Sequence, residues 1–349
     1  MEDDHHLHQA DDHADVVQEM IPTSKEADDQ EEDQQKCKRK KTAVRAAWSI
    51  CFAQSSTLKT FLENIANLLT ECNFEVICNT EFQGLVVERL DNSRVCLVQA
   101  RISGQVTLAT QGVRHSFCLR MSNLLSCLRN AHPCHFVDIW SPEGSTDVVM
   151  RVHEPQVSSY TPTFTLRTLA VLDEADDMMP TMEYELFVEI DLTTFQSVMK
   201  TAKNHKADTA SICVYGLRSR APDDTDPIIN YFVISYTGDE VSSQFPFQSS
   251  TEHLAPGGGG GDEPLVIRAS TSVREDYDGL PPEDELITIY NGIFSVEYLF
   301  LATRSMERHS LTLRLGRGKP LLIEFPLGSG KTDYLRCVLA PKFDGSGDN

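Results

Sequence analysis

Residues Lys319–Phe343 read "KPLLIEFPLGSGKTDYLRCVLAPKF", and this stretch allows two opposite folds. Its middle, "PLGSGKT" (Pro326–Thr332), looks like the end of a phosphate-binding loop, with a lysine between glycine and a hydroxyl residue suited to Mg²⁺. Such a loop needs the spacing Gly-x-x-x-x-Gly-Lys-Ser/Thr, because its backbone N–H groups must curl around a phosphate. Counting back from Gly330, the first glycine falls at Phe325. The loop must also open a helix. The next residues instead read "DYLRCVLAP", apolar at alternate positions and then stopped by proline, which is a strand. The segment is therefore read as two strands joined by a glycine-rich turn. That choice replaces a parallel nucleotide-binding unit with an antiparallel sheet. An unrelated enzyme with a partial phosphate loop is the competing reading, and ATP hydrolysis is the observation that would favour it.

Working outward, the chain has 349 residues, enough for two or three ordinary domains. Its net charge is −21. Residues 1–35 carry −12 of this, and "KCKRKK" (Lys36–Lys41) adds +5, leaving −14 on residues 42–349. An acidic body argues against a nucleic-acid binder with a broad basic surface, but leaves room for a small basic patch. The ten cysteines contain no C-x-x-C pair, which fits reduced thiols in a cytosolic or nuclear protein. No signal peptide is evident, and no apolar run approaches the ~18 residues of a membrane-spanning helix.

Residues 1–45 form a polar, His- and acid-rich tail with too little apolar surface to offset the entropy of ordering. Within it, "KCKRKK" reads either as a nuclear-import signal or as a solvated basic run. After it, "TLKTFLENIANLLTEC" places Leu58, Phe61, Leu62, Ile65, Leu68, Leu69 and Cys72 on one helical face. Strand-like runs and a short helix, "MSNLLSCLRNA", come next. The order then recurs: a helix at "LTTFQSVMKTAKNH", strands, a helix at "IFSVEYLFLATRSM", and closing strands. Two copies of one unit, each with two helices and several antiparallel strands, give an α+β fold. The expected division is a tail (1–45), a first domain (46–168), a linker (169–184), a second domain (185–343) and a short C-terminal tail (344–349). Residues 242–285 read as a mobile insertion with one short strand at "PLVIRAS", because they include five consecutive glycines.

Catalytic constellations are weak. "HPCH" (His132, Cys134, His135) lacks the second cluster a zinc site requires, so a structural loop is favoured. "DEADD" (Asp173–Asp177) lacks an EF-hand spacing. Neither a nucleophile elbow nor a dinucleotide fingerprint occurs. No catalytic residue, metal or cofactor is expected.

The doubled unit, the acidic linker and specific stretches together resemble the PCNA family of DNA sliding clamps. "LDNSRVCLVQ" (Leu90–Gln99) is similar to the family's M/L-D-S-S-H-V-x-L-V, and "LAPKFD" (Leu339–Asp344) to its C-terminus. "STLKTFLENIANLLTECNFE", "MSNLLSCLR", "MPTMEYE" and "PLLIEF" match its pattern more loosely. The likeness covers about residues 46–343, apart from insertions near 218–228 and at 242–285.

The resemblance implies a homotrimeric ring around duplex DNA, with helices lining the hole and sheets forming the outer wall. It implies a processivity factor that tethers DNA polymerase and other replication or repair proteins in the nucleus, without catalysis. By position it assigns Lys59, Arg129, Lys200, Lys203 and Arg304 to the DNA-facing side. Ala66, Ser126 and Glu297 stand where the family usually has Lys or Arg, so the hole is expected to be less positive than is usual. By position it also assigns a client pocket to Leu90, Arg94, Val95, Leu97, Met179, Pro180, Pro320, Ala340, Pro341 and Lys342. Arg94 replaces the family's usual His, and Val338 its usual Tyr. Two alternatives share the fold: a subunit of a heterotrimeric checkpoint clamp, and a monomeric viral polymerase processivity factor.

Overall fold

The structure, a computed structural model, describes residues 45–108, 115–154, 161–171, 182–217, 228–251, 265–270, 280–306, 310–327 and 332–342. The first half runs β1 (Ala46–Phe52), α1 (Ser55–Ala66), β2 (Glu71–Cys78), β3 (Gln83–Leu90), β4 (Cys96–Ser103), β5 (Gln105–Leu108) and β6 (His115–Arg120). It continues with α2 (Met121–Leu128), β7 (Phe136–Pro142), β8 (Val148–His153) and β9 (Thr163–Leu166). The second half repeats this order. It runs β10 (Leu186–Asp191), α3 (Leu192–Asn204), β11 (Thr209–Leu217), β12 (Ile228–Thr237), β13 (Ser242–Thr251), β14 (Leu265–Ser270) and β15 (Leu286–Ser295). Then come α4 (Val296–Thr303), β16 (Ser310–Leu315), β17 (Leu321–Pro326) and β18 (Tyr334–Leu339), with a short 3₁₀ turn at Glu283–Glu285 before β15.

The helices form where the 3.6-residue period holds. In α1, Leu58, Phe61, Leu62 and Ile65 are all buried. In α3, Phe195, Val198, Met199 and Ala202 are buried, and Asp191 caps the start by accepting from the Thr194 N–H at 2.8 Å. The helices pack in pairs, α1 on α2 and α3 on α4. Asn67, just past α1, donates to Ser305 Oγ, just past α4, at 2.7 Å, so the two pairs are also tied to each other.

Two sheets cover this helix layer. One has the order β5-β1-β7-β8-β9, the other β15-β11-β12-β13-β14-β10-β16-β17-β18-β4-β3-β2-β6. The halves of the chain meet in the larger sheet, where β18 pairs antiparallel with β4 from Tyr334↔Arg101 to Leu339↔Cys96. Alternation sets which side chains face the helices. Cys96, Val98, Ala100 and Ile102 of β4 join the main core, whereas Leu97 turns to the opposite face.

The hairpin reading of Lys319–Phe343 holds. β17 and β18 pair antiparallel from Leu321↔Leu339 to Pro326↔Tyr334, and the Leu327 N–H donates to the Asp333 carbonyl at 2.8 Å. Phe325, at the position a phosphate loop would give to glycine, is fully buried. Residues 328–331, with Lys331, lie outside the described residues, as do residues 1–44 of the expected tail, the "DEADD" stretch and the five consecutive glycines.

Three expectations need correction. The first helix ends at Ala66, and Glu71–Cys78 is a strand. Leu69 and Cys72 are buried in either arrangement, so helical spacing could not reveal the switch. The fourth helix begins at Val296, because Ile293–Ser295 complete β15. Finally, the insertion is not a loop from its start, since Ser242–Thr251 is a full strand on β12. Phe245 and Phe247 supply its period-two signal, the first stacked on Tyr236 at 5.8 Å and the second against Phe232 at 5.6 Å. The strand expected at "PLVIRAS" is present as β14, which runs parallel to β10 and antiparallel to the end of β13. In the first half the counterpart, β5, runs antiparallel to β1.

Candidate functional site

The polar sides of the helices carry a small set of charges. Lys59 lies 3.9 Å from Glu63 one turn along α1. Lys203 of α3 is more firmly held. Its Nζ sits 2.7 Å from Glu297 of α4 and 4.7 Å from the centre of the Phe300 ring. Lys200, Arg129 and Arg304 are exposed, and among the described residues none of the three has an ion-pair partner. Arg129 and Arg304 occupy the C-caps of α2 and α4, where a cation favours the negative end of the helix dipole. The five expected cations thus lie on helices or their caps, but two are partly neutralised by carboxylates.

On the other face of the large sheet, over the joint between β18 and β4, lies a separate apolar cluster. Leu97, Val338 and Leu322 form it, and the half-buried Tyr184 packs against them. Three adjacent strands, β4, β18 and β17, each contribute one outward apolar residue. Around this floor stand Val95 and Pro320, both half-buried, and Leu90, 41 % exposed. Met179 and Pro180 lie outside the described residues. Sequence reading missed Leu322 and Tyr184 as site residues. The available signal was an apolar residue at outward-facing positions of three neighbouring strands, which marks a sheet covered on both faces.

The turn between β3 and β4 is built around Asp91, which is only 5 % exposed. Its Oδ1 accepts from the Val95 and Cys96 N–H groups, each at 2.7 Å, and its Oδ2 from the Ser93 N–H at 2.9 Å. A fourth donor is the Tyr298 hydroxyl of α4, 2.5 Å from Oδ2. Burial by itself would raise the Asp91 pKa. The Tyr298 hydroxyl and the three backbone N–H groups outweigh it and hold the carboxyl below its ordinary value. Arg94 takes a left-handed backbone with φ 56°, a conformation that the family's His, and Asn or Gly, enter more readily.

The C-terminal segment closes the site from the other side. The Ala340 N–H donates to the Val95 carbonyl at 3.0 Å, and the Lys342 N–H to the Ile293 carbonyl at 2.7 Å. Pro341 has no N–H. The donors of Ala340–Lys342 are therefore used within the chain, and only the carbonyls of this segment are left for an added peptide strand. At the far edge, Lys319 Nζ bonds the Glu183 carbonyl and lies 3.9 Å from Glu185, tying the end of the linker to the turn before β17.

The HPCH turn supports α1. The Ser55 N–H donates to the His135 carbonyl at 2.8 Å, and Ser55 Oγ to the His132 carbonyl at 2.7 Å. Both histidine Nδ1 atoms accept from backbone N–H groups of the same turn. Among the described residues no group of three or more His, Cys, Asp or Glu side chains is placed to hold a metal ion.

A doubled unit with a helix layer on one side and a joining sheet on the other is the architecture of a sliding clamp. Residues 48–172 match the family model for the proliferating cell nuclear antigen, N-terminal domain. The chain is similar to the proliferating cell nuclear antigen of Chaetomium thermophilum, 22% identical over 291 residues that span 83% of this chain and 95% of the relative. In fold it is similar to the crystal structure of proliferating cellular nuclear antigen from Entamoeba histolytica, with TM-score 0.62 and 16% identity. That match covers 86% of this chain and 100% of the other. The chain is therefore similar to PCNA clamps, in sequence over residues 48–172 and in fold over most of its length.

Proposed function

We propose that this protein is a DNA sliding clamp, a homotrimeric ring that encircles duplex DNA in the nucleus and tethers DNA polymerase and other replication or repair proteins. It acts as a scaffold and performs no chemistry. The observation that carries the ring is the joint of β18 on β4. By the internal repeat, β9 corresponds to β18 and β13 to β4. β9 is an edge strand, and β14 pairs only with Gln248–Thr251 of β13, leaving the outer edge of Ser242–Phe247 unpaired among the described residues. Copies joined head to tail through these edges repeat the joint already made inside each chain, and a head-to-tail contact closes into a ring when its rotation allows. Light scattering on the purified full chain tests this. The mass of three chains is expected, and a stable monomer at micromolar concentration would favour the viral processivity factor instead.

The DNA-facing set is proposed on the same basis. A topological link needs no tight grip, so a few cations sliding along phosphates suffice. They act without sequence preference, because phosphate contacts position the protein but do not read bases. Lys200 has no ion-pair partner among the described residues, while Lys203 is engaged with Glu297. Lys200→Glu is therefore expected to reduce polymerase stimulation more than Lys203→Glu, and to flatten the salt dependence by about one phosphate contact's slope, ~0.9. Equal and wild-type stimulation by both variants at low and moderate salt would show that α3 does not face DNA.

A further inference from the structure

Three of the candidate pocket residues, Leu90, Arg94 and Val95, sit on or beside the turn that Asp91 organises. A fourth, Ala340, is held by the Val95 carbonyl. Three of the four donors to the Asp91 carboxylate come from the turn itself. The fourth, Tyr298, comes from α4 on the helix side, 207 residues away in sequence. Without it, Oδ2 keeps only the Ser93 N–H, and among the described residues only the strand pairing and the Ala340 bond then fix the turn against the second half of the chain.

We infer that Tyr298 is a positioning residue for the client pocket: its hydroxyl fixes the Asp91 turn, and thereby the edge of the pocket formed by Leu90, Arg94 and Val95. The inference rests on the proposed client pocket. It makes α4 a shared element, because Glu297 and Phe300 on the same helix hold Lys203 of the helix layer. Tyr298 is half-buried on α4. It sets the shape that a client meets, and an ordered turn is one whose ordering need not be supplied on binding.

The titratable groups facing Asp91 are Tyr298 from α4 and the Cys96 thiol at the start of β4. Since the carboxyl is held below its ordinary value, the ordered turn persists above that lowered pKa and is lost as pH falls through it. Removing the Tyr298 hydroxyl raises the Asp91 pKa, so the acid limb of client binding moves to higher pH.

The test uses the full chain and a labelled synthetic peptide with the pattern glutamine, aliphatic, two aromatics, followed by fluorescence anisotropy across pH. Tyr298→Phe is expected to weaken binding about tenfold, the loss of one hydrogen bond to a charged group, with its acid limb shifted upward. Hydrogen exchange over residues 90–97 is expected to quicken while β9 is unchanged. Asp91→Asn is expected to act in the same direction, and the double variant to be no worse than the sum of the singles. Peptide binding to Tyr298→Phe with wild-type affinity and an unmoved acid limb overturns the inference and leaves the proposed pocket intact. A wild-type chain that ignores the peptide overturns both. A Tyr298→Phe chain that loses its fold shows Tyr298 to be a core support and overturns the positioning role as well.

Discussion

A chain carrying Thr163→Pro and Thr165→Pro is expected to run as a folded monomer under conditions where the parent assembles. The Val152 N–H donates to the Pro162 carbonyl at 3.3 Å, so residues 162, 164 and 166 turn their backbone groups towards β8. Thr163 and Thr165 then turn theirs outward. The same parity holds in β18, where the Ala340 N–H reaches β4 through Val95. Carrying the register of β18 on β4 across the repeat sets Thr163 of one copy opposite Gln244 of the next, and Thr165 opposite Ser242. Proline removes the outward N–H without touching the β8 ladder. Two lost ladder bonds cost about 1 kcal/mol each, before the misfit of the proline rings. Val241, 40 % exposed and opposite Leu166 in the same register, offers a second route, and Val241→Lys is expected to weaken assembly in the same direction. Light scattering decides, with a thermal melt to show that the monomer is folded. A trimer mass from the double-proline chain would mean that β9 is not a joint.

Val95→Glu combined with Pro320→Glu is expected to abolish binding of the glutamine–aliphatic–two-aromatics peptide while the assembly persists. Both residues are half-buried at the rim, and the floor beneath them, Leu97, Leu322 and Val338, is left unchanged. Three apolar anchors contribute about 1.5–3 kcal/mol each before ordering costs, which points to micromolar affinity. Two carboxylates beside that floor lose hydration when apolar anchors cover them, so a loss of more than about 100-fold is expected. Val338 in place of the family's Tyr makes the strand part of the floor aliphatic, and the phenol beside it is that of Tyr184. Calorimetry checks the result. Undiminished heat from the double variant would place the client elsewhere on the molecule.

Much of the fold was legible because it rests on local periods. The hairpin at Lys319–Phe343 could be read from one misplaced residue, Phe325, and from alternation after the turn. The repeat could be read because α1 and α3 carry the same one-sided apolar pattern. What stayed hidden depends on distance in sequence. The Lys203–Glu297 pair requires α3 and α4 side by side, which no spacing within either helix reveals. The Asp91–Tyr298 bond joins the two halves of the chain. In the insertion, a run of serines masked the alternating Phe245 and Phe247, and the five glycines beyond them suggested a loop up to the strand at "PLVIRAS".

The inserted strand β14 has a kinetic consequence. It links β13 to β10, so every strand of the second half lies on one hydrogen-bonded ladder. In the first half, β5-β1-β7-β8-β9 forms a ladder of its own, separate from β4-β3-β2-β6. A separate ladder can open as its own cooperative unit, whereas a strand inside a continuous one opens only with its neighbours. Native-state opening should therefore begin in the first half. If such chains close into a ring, each seam joins a compliant β9 side to a stiffer β13 side, and parting of the ring would begin on the β9 side.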